Sequence, residues 1–190
     1  MKFLKRIKYN SPVVLSFVAI SFIALILGYL TNNFTTRLLF SVYDSSFLNP
    51  LTYVRLLGHV LGHANLSHFT GNMVYILLLG PIMEEKYGSK NLLEMICITA
   101  VLTGLANMIF FNTALLGASG IAFMLIILSS ITGIKEGEIP LTLIIVVVIF
   151  LGQEVVNGLF QKDNISQLTH IIGGVCGGVF GKVLAPNPKG

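Results

Sequence analysis

Charged residues are scarce in this 190-residue chain: 11% of the residues are Asp, Glu, Lys or Arg, whereas 54% are hydrophobic. Soluble domains carry about 25% charged residues, so this composition excludes an ordinary soluble protein and indicates a membrane protein. The net charge of +4 does not indicate nucleic-acid binding. The basic residues are dispersed beside apolar runs, where they act as signals of membrane topology.

Cysteine is also scarce, and the motifs of metal sites are missing. The two cysteines, Cys97 and Cys176, lie inside apolar runs, so we interpret them as small core residues rather than a disulfide or a metal pair. His59 and His63 are four residues apart, but no Glu follows His59 as an H-E-x-x-H motif requires. We therefore expect no metal and no cofactor. The sequence shows no internal repeat and no low-complexity segment.

Long apolar runs dominate the rest of the chain. About 20 helical residues cross a hydrocarbon layer of about 30 Å. The run 12–30 follows a basic stretch, as a secretory signal would, but it is longer than the usual signal core and no cleavage site follows it. The sequence predicts an all-α polytopic membrane protein, with residues 1–190 forming one domain of six transmembrane helices. Their approximate ranges are 12–30, 67–83, 91–111, 119–134, 140–158 and 166–184.

The connection 31–66 is too long for a tight link and too hydrophobic for a free linker. We expect it to lie in the membrane interface. The sequence assigns no role to this connection. It also assigns none to Glu154, near the outer end of the fifth segment.

The distribution of basic residues predicts the orientation. With the N-terminus in the cytoplasm, nine Lys and Arg residues fall on the inner side and three, Arg37, Arg55 and Lys162, on the outer side. This bias follows the positive-inside rule. We therefore expect a multi-pass protein of the cell membrane with both termini in the cytoplasm.

Polar residues cluster at the starts of the second, fourth and sixth segments, which all run inward. His68 and Asn72 begin the second segment and share one helix face, Ser119 begins the fourth, and His170 lies early in the sixth. Polar groups at one depth in a bilayer pair with each other or line a wet cavity. A serine, two histidines and an amide are the side chains of an acyl-transfer site.

The glycines around these residues support close helix packing. Ser119 follows Gly117 and precedes Gly120, at the start of a segment of 16 residues that is short for a full crossing. We expect residues 114–118 to enter the membrane as a re-entrant loop, and the free N–H groups of the helix start to bind an oxyanion. The sixth segment carries two overlapping small-xxx-small pairs, Gly173 with Gly177 and Gly174 with Gly178, with Gly117 and Gly120 expected opposite.

These residues together resemble the rhomboid family of intramembrane serine proteases. The resemblance covers residues 51–184, in the family's order. Its motifs are Gly117-x-Ser119-Gly120, His63, His68-x-x-x-Asn72, Glu84-x-x-x-Gly88 and His170-x-x-Gly173-x-x-x-Gly177.

The resemblance implies a six-helix bundle of the minimal bacterial type, without an extra domain or a seventh helix. It implies that Ser119 is the nucleophile and His170 its base, and that His68, Asn72 and the Ser119 N–H stabilise the oxyanion. His63, Gly117 and Phe123 would shape and support the cavity. The implied partners are transmembrane protein substrates and the lipid bilayer; the oligomeric state is left open.

The chain departs from the family pattern at two positions. Val54 precedes Arg55 where many relatives have tryptophan, and Phe123 stands where a tyrosine often packs on the catalytic histidine. Two other functions remain open. One is a non-catalytic rhomboid-like binder of membrane proteins; the other is a haem or metal transporter using the histidines as ligands, namely His59, His63, His68 and His170.

Overall fold

The computed structural model describes residues 9–132 and 164–184, together with five helical positions between them: Leu141, Ile144, Ile145, Val148 and Ile149. Within these residues the chain is helical, and the β-structure is limited to the isolated bridge between Val42 and Leu115. The helices are α1 (Pro12–Leu30), α2 (Phe34–Leu39), α3 (Pro50–Gly58), a 3-10 turn (His59–Leu61), α4 (Leu66–Tyr87), α5 (Ser89–Phe110), α6 (Ser119–Ile131) and α7 (Asn164–Val183).

Three helices of the described residues are long and apolar enough to cross a membrane: α1, α4 and α5. α6 is apolar but shorter, with 13 residues. The predicted all-α membrane fold is therefore confirmed. The helices match five of the predicted ranges to within a few residues, while the predicted fifth helix, 140–158, lies outside the described residues except for the five helical positions.

The start of α1 is held by a buried carboxylate from another helix. Pro12 is its first residue, where a missing N–H costs nothing. Glu84 of α4 accepts hydrogen bonds from the free N–H groups of Val13, at 2.9 Å, and Val14, at 3.0 Å. Ser89 Oγ donates to the same carboxylate at 2.7 Å. Glu84 therefore fastens α1 to α4.

α6 lies at the centre of the bundle, because it contacts α4, α5 and α7. Its side chains Ile121, Met124, Leu125 and Leu128 are almost completely buried. This burial explains why an apolar helix of 13 residues is stable here. Its first residue, Ser119, is held by the packing of the core.

Two glycines let α7 approach α6 closely. A Cβ atom at Gly173 would overlap the carbonyl of Gly120, and one at Gly177 would overlap the carbonyl of Met124. The predicted pair Gly173 and Gly177 therefore forms the crossing. Gly178 faces only the ends of side chains, 4.0 Å away. Gly178, of the second predicted pair, contributes less to this crossing, because its nearest neighbours are side-chain atoms rather than the α6 backbone.

The connection between α1 and α4 folds against the bundle. Arg55 of α3 is buried; its Nε donates to the carbonyl of Leu38 at 3.0 Å, and its guanidinium lies 4.5 Å from the ring centroid of Tyr43. Tyr43 thus supplies an aromatic partner for Arg55, although Val54 stands where tryptophan was expected. The outer face of the connection exposes large apolar side chains, as an interfacial location requires. They are Phe47, Leu48, Tyr53, Val54 and Leu57.

Candidate functional site

Ser119 follows a turn that requires glycine. Gly117 has φ +125°, a conformation that side chains rarely adopt. A Cβ atom there would also lie 2.7 Å from His68 Nε2 and 2.8 Å from His68 Cε1. Gly117 therefore faces α4, so the expectation that it packs against the sixth segment was wrong. The positive φ turns the residue toward His68, and spacing along the sequence does not encode this direction.

His68 and Asn72 lie together beside this turn. They share one face of α4, and Asn72 Nδ2 is 3.8 Å from the same Cβ position at Gly117. Asn72 is buried, and its Nδ2 has no hydrogen-bond partner among the described residues. A buried amide donor without a partner is unfavourable by about 1–3 kcal/mol. The structure thus places an unpaired donor next to the loop that leads to Ser119.

The ring of His63 packs against the ring of His68. Its ring contacts the rings of His68 and Phe69 edge to face, with centroids 5.1 Å and 5.4 Å apart. Its Nδ1 donates to the carbonyl of Leu61 at 3.2 Å, while its Nε2 has no partner in the described part of the chain. Burial is the main cause that lowers the pKa of His63 to about 4. The His63 side chain is therefore neutral at physiological pH.

His170 lies where α7 crosses the start of α6. Its ring contacts the Phe123 ring, with centroids 4.2 Å apart and planes at 33°. Phe123 is one turn after Ser119 on α6. The preceding residue, Thr169, packs on Gly120, where an added Cβ would lie 3.0 Å from its methyl group. The structure therefore brings the first turn of α6, with Ser119, against the segment of α7 that carries His170. Both side chains are partly exposed.

The loop before Ser119 is tied to the connection between α1 and α4. Val42 and Leu115 exchange two backbone hydrogen bonds, at 2.9 Å and 2.8 Å, and both residues are buried. The Gly117 N–H donates to the carbonyl of His59 at 2.9 Å. The approach to Ser119 is thus fixed by residues far away in sequence.

His59 has a structural environment. Its Nδ1 lies 3.2 Å from the carbonyl of Arg55 and 3.1 Å from that of Leu56, and its Nε2 lies 3.3 Å from Thr103 Oγ1. Burial lowers the pKa of His59 to about 4. No group of three or more His, Cys, Asp or Glu side chains in the described ranges is arranged to hold a metal ion.

Sequence reasoning missed some of the residues that position the loop. Val42 and Leu115 carry no polar side chain, so no local pattern marks them. The side chain of Asn107, in the last turn of α5, contacts two loops. The only available signal was a single amide in the last turn of an apolar helix, which does not identify its partner.

An apolar cavity of about 490 Å³ lies elsewhere, between α1, α5 and the 3-10 turn. Its walls include Phe17, Val60 and Ile96. The residues Ser119, His170, His68 and Asn72 are absent from its lining. The cavity therefore offers none of the groups needed for hydrolysis.

The cluster around Ser119 combines groups that suit acyl transfer. Ser119 is the first residue of α6, where backbone N–H groups lack helical partners and favour negative charge. The amide of Asn72 and the imidazole of His68 lie on one side of the loop, and His170 lies at the α7 crossing. A hydroxyl, an imidazole and N–H donors thus belong to one region of the bundle, as an acyl-transfer site would require.

Comparison with known proteins relates this chain to the same family that its motifs resemble. A family model described as the Rhomboid domain matches residues 50–187. The chain is also 28% identical over 165 residues to the Rhomboid protease GluP of Bacillus subtilis (strain 168). That alignment covers 84% of this chain and 31% of the relative, so the chain spans about a third of the relative's length. The family match covers most of the chain and includes the whole cluster around Ser119. The chain therefore belongs to the rhomboid family.

Proposed function

We propose that this protein is an intramembrane serine endopeptidase that uses Ser119 and His170 as a catalytic dyad. The observation that carries the proposal is the contact between the rings of Phe123 and His170. It supports a geometry in which the imidazole faces the first turn of α6. The family membership and the name of the Bacillus relative, a rhomboid protease, support the same activity.

In the proposed reaction, Ser119 Oγ attacks the carbonyl carbon of the scissile peptide bond while His170 accepts the hydroxyl proton. The tetrahedral intermediate then collapses, and His170 gives the proton to the leaving amine. Water then attacks the acyl-enzyme while His170 accepts one of its protons; as the bond from the acyl carbon to Ser119 Oγ breaks, His170 returns this proton to Oγ and the carboxylic acid product leaves. Both half-reactions need only the serine, the imidazole and water.

Three donors would stabilise the oxyanion: the Ser119 N–H, the Asn72 amide and the His68 imidazole. The unpaired Asn72 Nδ2 supports this assignment, because a substrate oxygen would satisfy it. Losing one such donor typically costs about 2.7–4 kcal/mol in the barrier. His63, Gly117 and Phe123 would hold these groups in place without taking part in bond changes.

We expect the substrates to be transmembrane proteins, cut in or near the outer end of a membrane-spanning segment. A peptide bond inside an intact helix is shielded by its hydrogen bonds, so the segment must unwind locally before attack. Residues that weaken helices near the cleavage site therefore favour cleavage. The orientation inferred from the basic residues, with both termini in the cytoplasm, would open this site toward the outer face.

A fluorophosphonate probe tests the nucleophile directly. The probe should label the wild-type protein and should label neither Ser119→Ala nor His170→Ala. Ser129→Ala is the matched control, because Ser129 is on the same helix and, within the described residues, its hydroxyl donates to the carbonyl of Ile126 of its own helix, at 2.9 Å. This variant should be labelled as the wild type is. Co-expression with single-pass membrane proteins should yield fragments only when Ser119 is present.

Other outcomes separate the remaining functions. Membrane proteins that co-purify intact with a wild type that takes no label would indicate a non-catalytic binder. Chelator-sensitive function without labelling would indicate a metal or haem protein. Labelling that persists in Ser119→Ala would show that another side chain reacts, and the proposed dyad would be wrong.

A further inference from the structure

Asn107 joins two loops next to the proposed nucleophile. It lies in the last turn of α5, and the residue is 2% exposed. Its Nδ2 donates to the carbonyl of Thr113 at 2.9 Å and to that of Val42 at 3.3 Å. An amide nitrogen has two N–H donors, and here each one is directed to a different loop. One loop is the connection between α1 and α4, and the other leads to Ser119.

The loop that leads to Ser119 is held at every second residue. Thr113 is held by Asn107, Leu115 by Val42, and Gly117 by the carbonyl of His59. The Val42 carbonyl accepts both from Leu115, at 2.8 Å, and from Asn107. Asn107 therefore holds Thr113 directly. It also holds Val42, the residue whose backbone pairs with Leu115. Ser119 follows two residues after the last tether.

We propose that Asn107 is a positioning residue that sets the placement of Ser119 relative to His170. This role rests on the function proposed above. Asn107 contacts neither Ser119 nor His170 in the hydrogen bonds just described, and it acts through the backbone of the loop. Acyl transfer is sensitive to such placement, because a displacement of about 1 Å can reduce a rate by about a hundredfold.

The two N–H donors of Asn107 can be removed without breaking a hydrogen bond that its side chain accepts among the described residues. Its Oδ1 is buried and has no hydrogen-bond partner among the described residues. Asn107→Leu therefore removes the two donors while keeping the number and branching of the side-chain heavy atoms, and it sacrifices no accepted bond among the described residues. Val42 keeps its bond from Leu115, whereas Thr113 loses the donor that Asn107 provides.

Asn91→Ala provides a matched control. Asn91 lies in the first turn of α5, and its Nδ2 donates to the carbonyl of Tyr87 at 2.8 Å. Replacing it removes the same kind of bond at the opposite end of the same helix. An effect on general stability should appear in both variants, whereas an effect on the placement of Ser119 should appear only in the Asn107 variants.

The experiment compares wild type, Asn107→Leu, Asn107→Ala and Asn91→Ala. We expect the rate constant of fluorophosphonate labelling to fall by about tenfold to a hundredfold in both Asn107 variants. The final labelled fraction should stay at the wild-type level, and kcat should fall while KM is unchanged. Hydrogen exchange across residues 112–118 should become faster. Asn91→Ala should resemble wild type in all four measurements.

Two results overturn the positioning role alone. In the first, the Asn107 variants are labelled at Ser119 at the wild-type rate. In the second, their labelling rate constant falls only in proportion to the labelled fraction and Tm. The first shows that the tether is dispensable, and the second shows a purely structural role. A wild type that takes no label at Ser119 instead overturns the proposed function, and the positioning role with it. The wild-type measurement therefore distinguishes the two failures.

Discussion

Several residues of the cluster around Ser119 tolerate few substitutions, because neighbouring atoms lie close to them. Gly117 combines a positive φ with the His68 ring at the place where a Cβ would lie, so a larger residue is excluded twice. His170 is held from one side by the ring of Phe123. In the proposed dyad, a base that is fixed in this way would need less reorganisation when a proton is transferred.

The Phe123 ring should orient His170 by packing against the imidazole, without the help of a polar group. Phe123→Ala removes the stacking partner of His170, and an aromatic pair is worth about 0.5–1.5 kcal/mol, so we expect kcat to fall by about two- to tenfold. Phe123→Tyr keeps the ring and should retain activity. Cleavage of a co-expressed membrane substrate and the rate of fluorophosphonate labelling measure the effect. Equal activity in the alanine variant would show that His170 is oriented by other contacts.

The buried His59 predicts a dependence of stability on pH. Its pKa is lowered from 6.5 to about 4, so the unfolded chain binds a proton more readily than the folded protein does. Stability is therefore unaffected above pH 6.5 and is lost as the pH falls from 6.5 toward 4. At pH 5 this loss is about 2 kcal/mol for His59.

Thermal unfolding in detergent between pH 7 and pH 4.5 measures this dependence. His59→Gln removes the titrating group, so the decrease in Tm with falling pH should become smaller, even if the variant is less stable throughout. An unchanged slope in His59→Gln would assign the acid sensitivity to other groups, such as His63.

Local pattern predicted where the candidate site residues lie in the helices, but not which residues hold them in place. The start of a helix at Ser119 and the shared face of His68 and Asn72 follow from short-range spacing, and the structure shows both. The bond from Asn107 to the carbonyl of Val42 joins residues 65 positions apart. No local periodicity encodes such a contact, because it depends on how the first connection folds back onto the bundle.

At the scale of elements, the crossing of α6 and α7 determines the distance between the two proposed catalytic residues. Apolar surfaces alone give little preference for one helix arrangement within lipid, so close backbone contact has to select it. Gly120 and Gly173 make this contact next to Ser119 and His170. The sequence predicted the glycine pattern, but only the structure distinguishes Gly173 and Gly177, which lie against the α6 backbone, from Gly178, whose nearest neighbours are α6 side chains.

This difference predicts opposite results for two similar substitutions on α7. In Gly173→Ala the new methyl group would overlap the backbone of Gly120, and such overpacking costs about 1–3 kcal/mol. In Gly178→Ala the nearest atoms are side-chain atoms 4.0 Å away, so stability should be kept or improved by the higher helix propensity of alanine. Tm and fluorophosphonate labelling should fall in the first variant only. Equal effects in both variants would contradict the described crossing.

At the scale of the whole molecule, long-range contacts connect the outer parts of the bundle to its centre. Glu84 binds α1 to the end of α4. The first connection reaches the loop before Ser119 through Val42. Both contacts depend on a consistent orientation of the spans, with the Glu84 end on one side of the membrane and the Ser119 end on the other.

The orientation itself gives the last prediction. With the N-terminus in the cytoplasm, Asp44 lies on the outer side, with the start of α6, and Lys90 lies on the inner side. Both residues are exposed, so a cysteine at either position is accessible to a reagent on its own side. In a background with Cys97→Ala and Cys176→Ala, a membrane-impermeant maleimide applied to intact cells should label Asp44→Cys. Lys90→Cys should react only after the cells are opened.

The reverse labelling pattern would place the Ser119 end of the bundle at the cytoplasm. The bias of nine basic residues against three would then have failed to set the topology. The proposed enzyme would in that case have to draw its water and its substrate segments from the inner face of the membrane. Labelling of Asp44→Cys from outside therefore tests the charge argument and the accessible side of the proposed active site together.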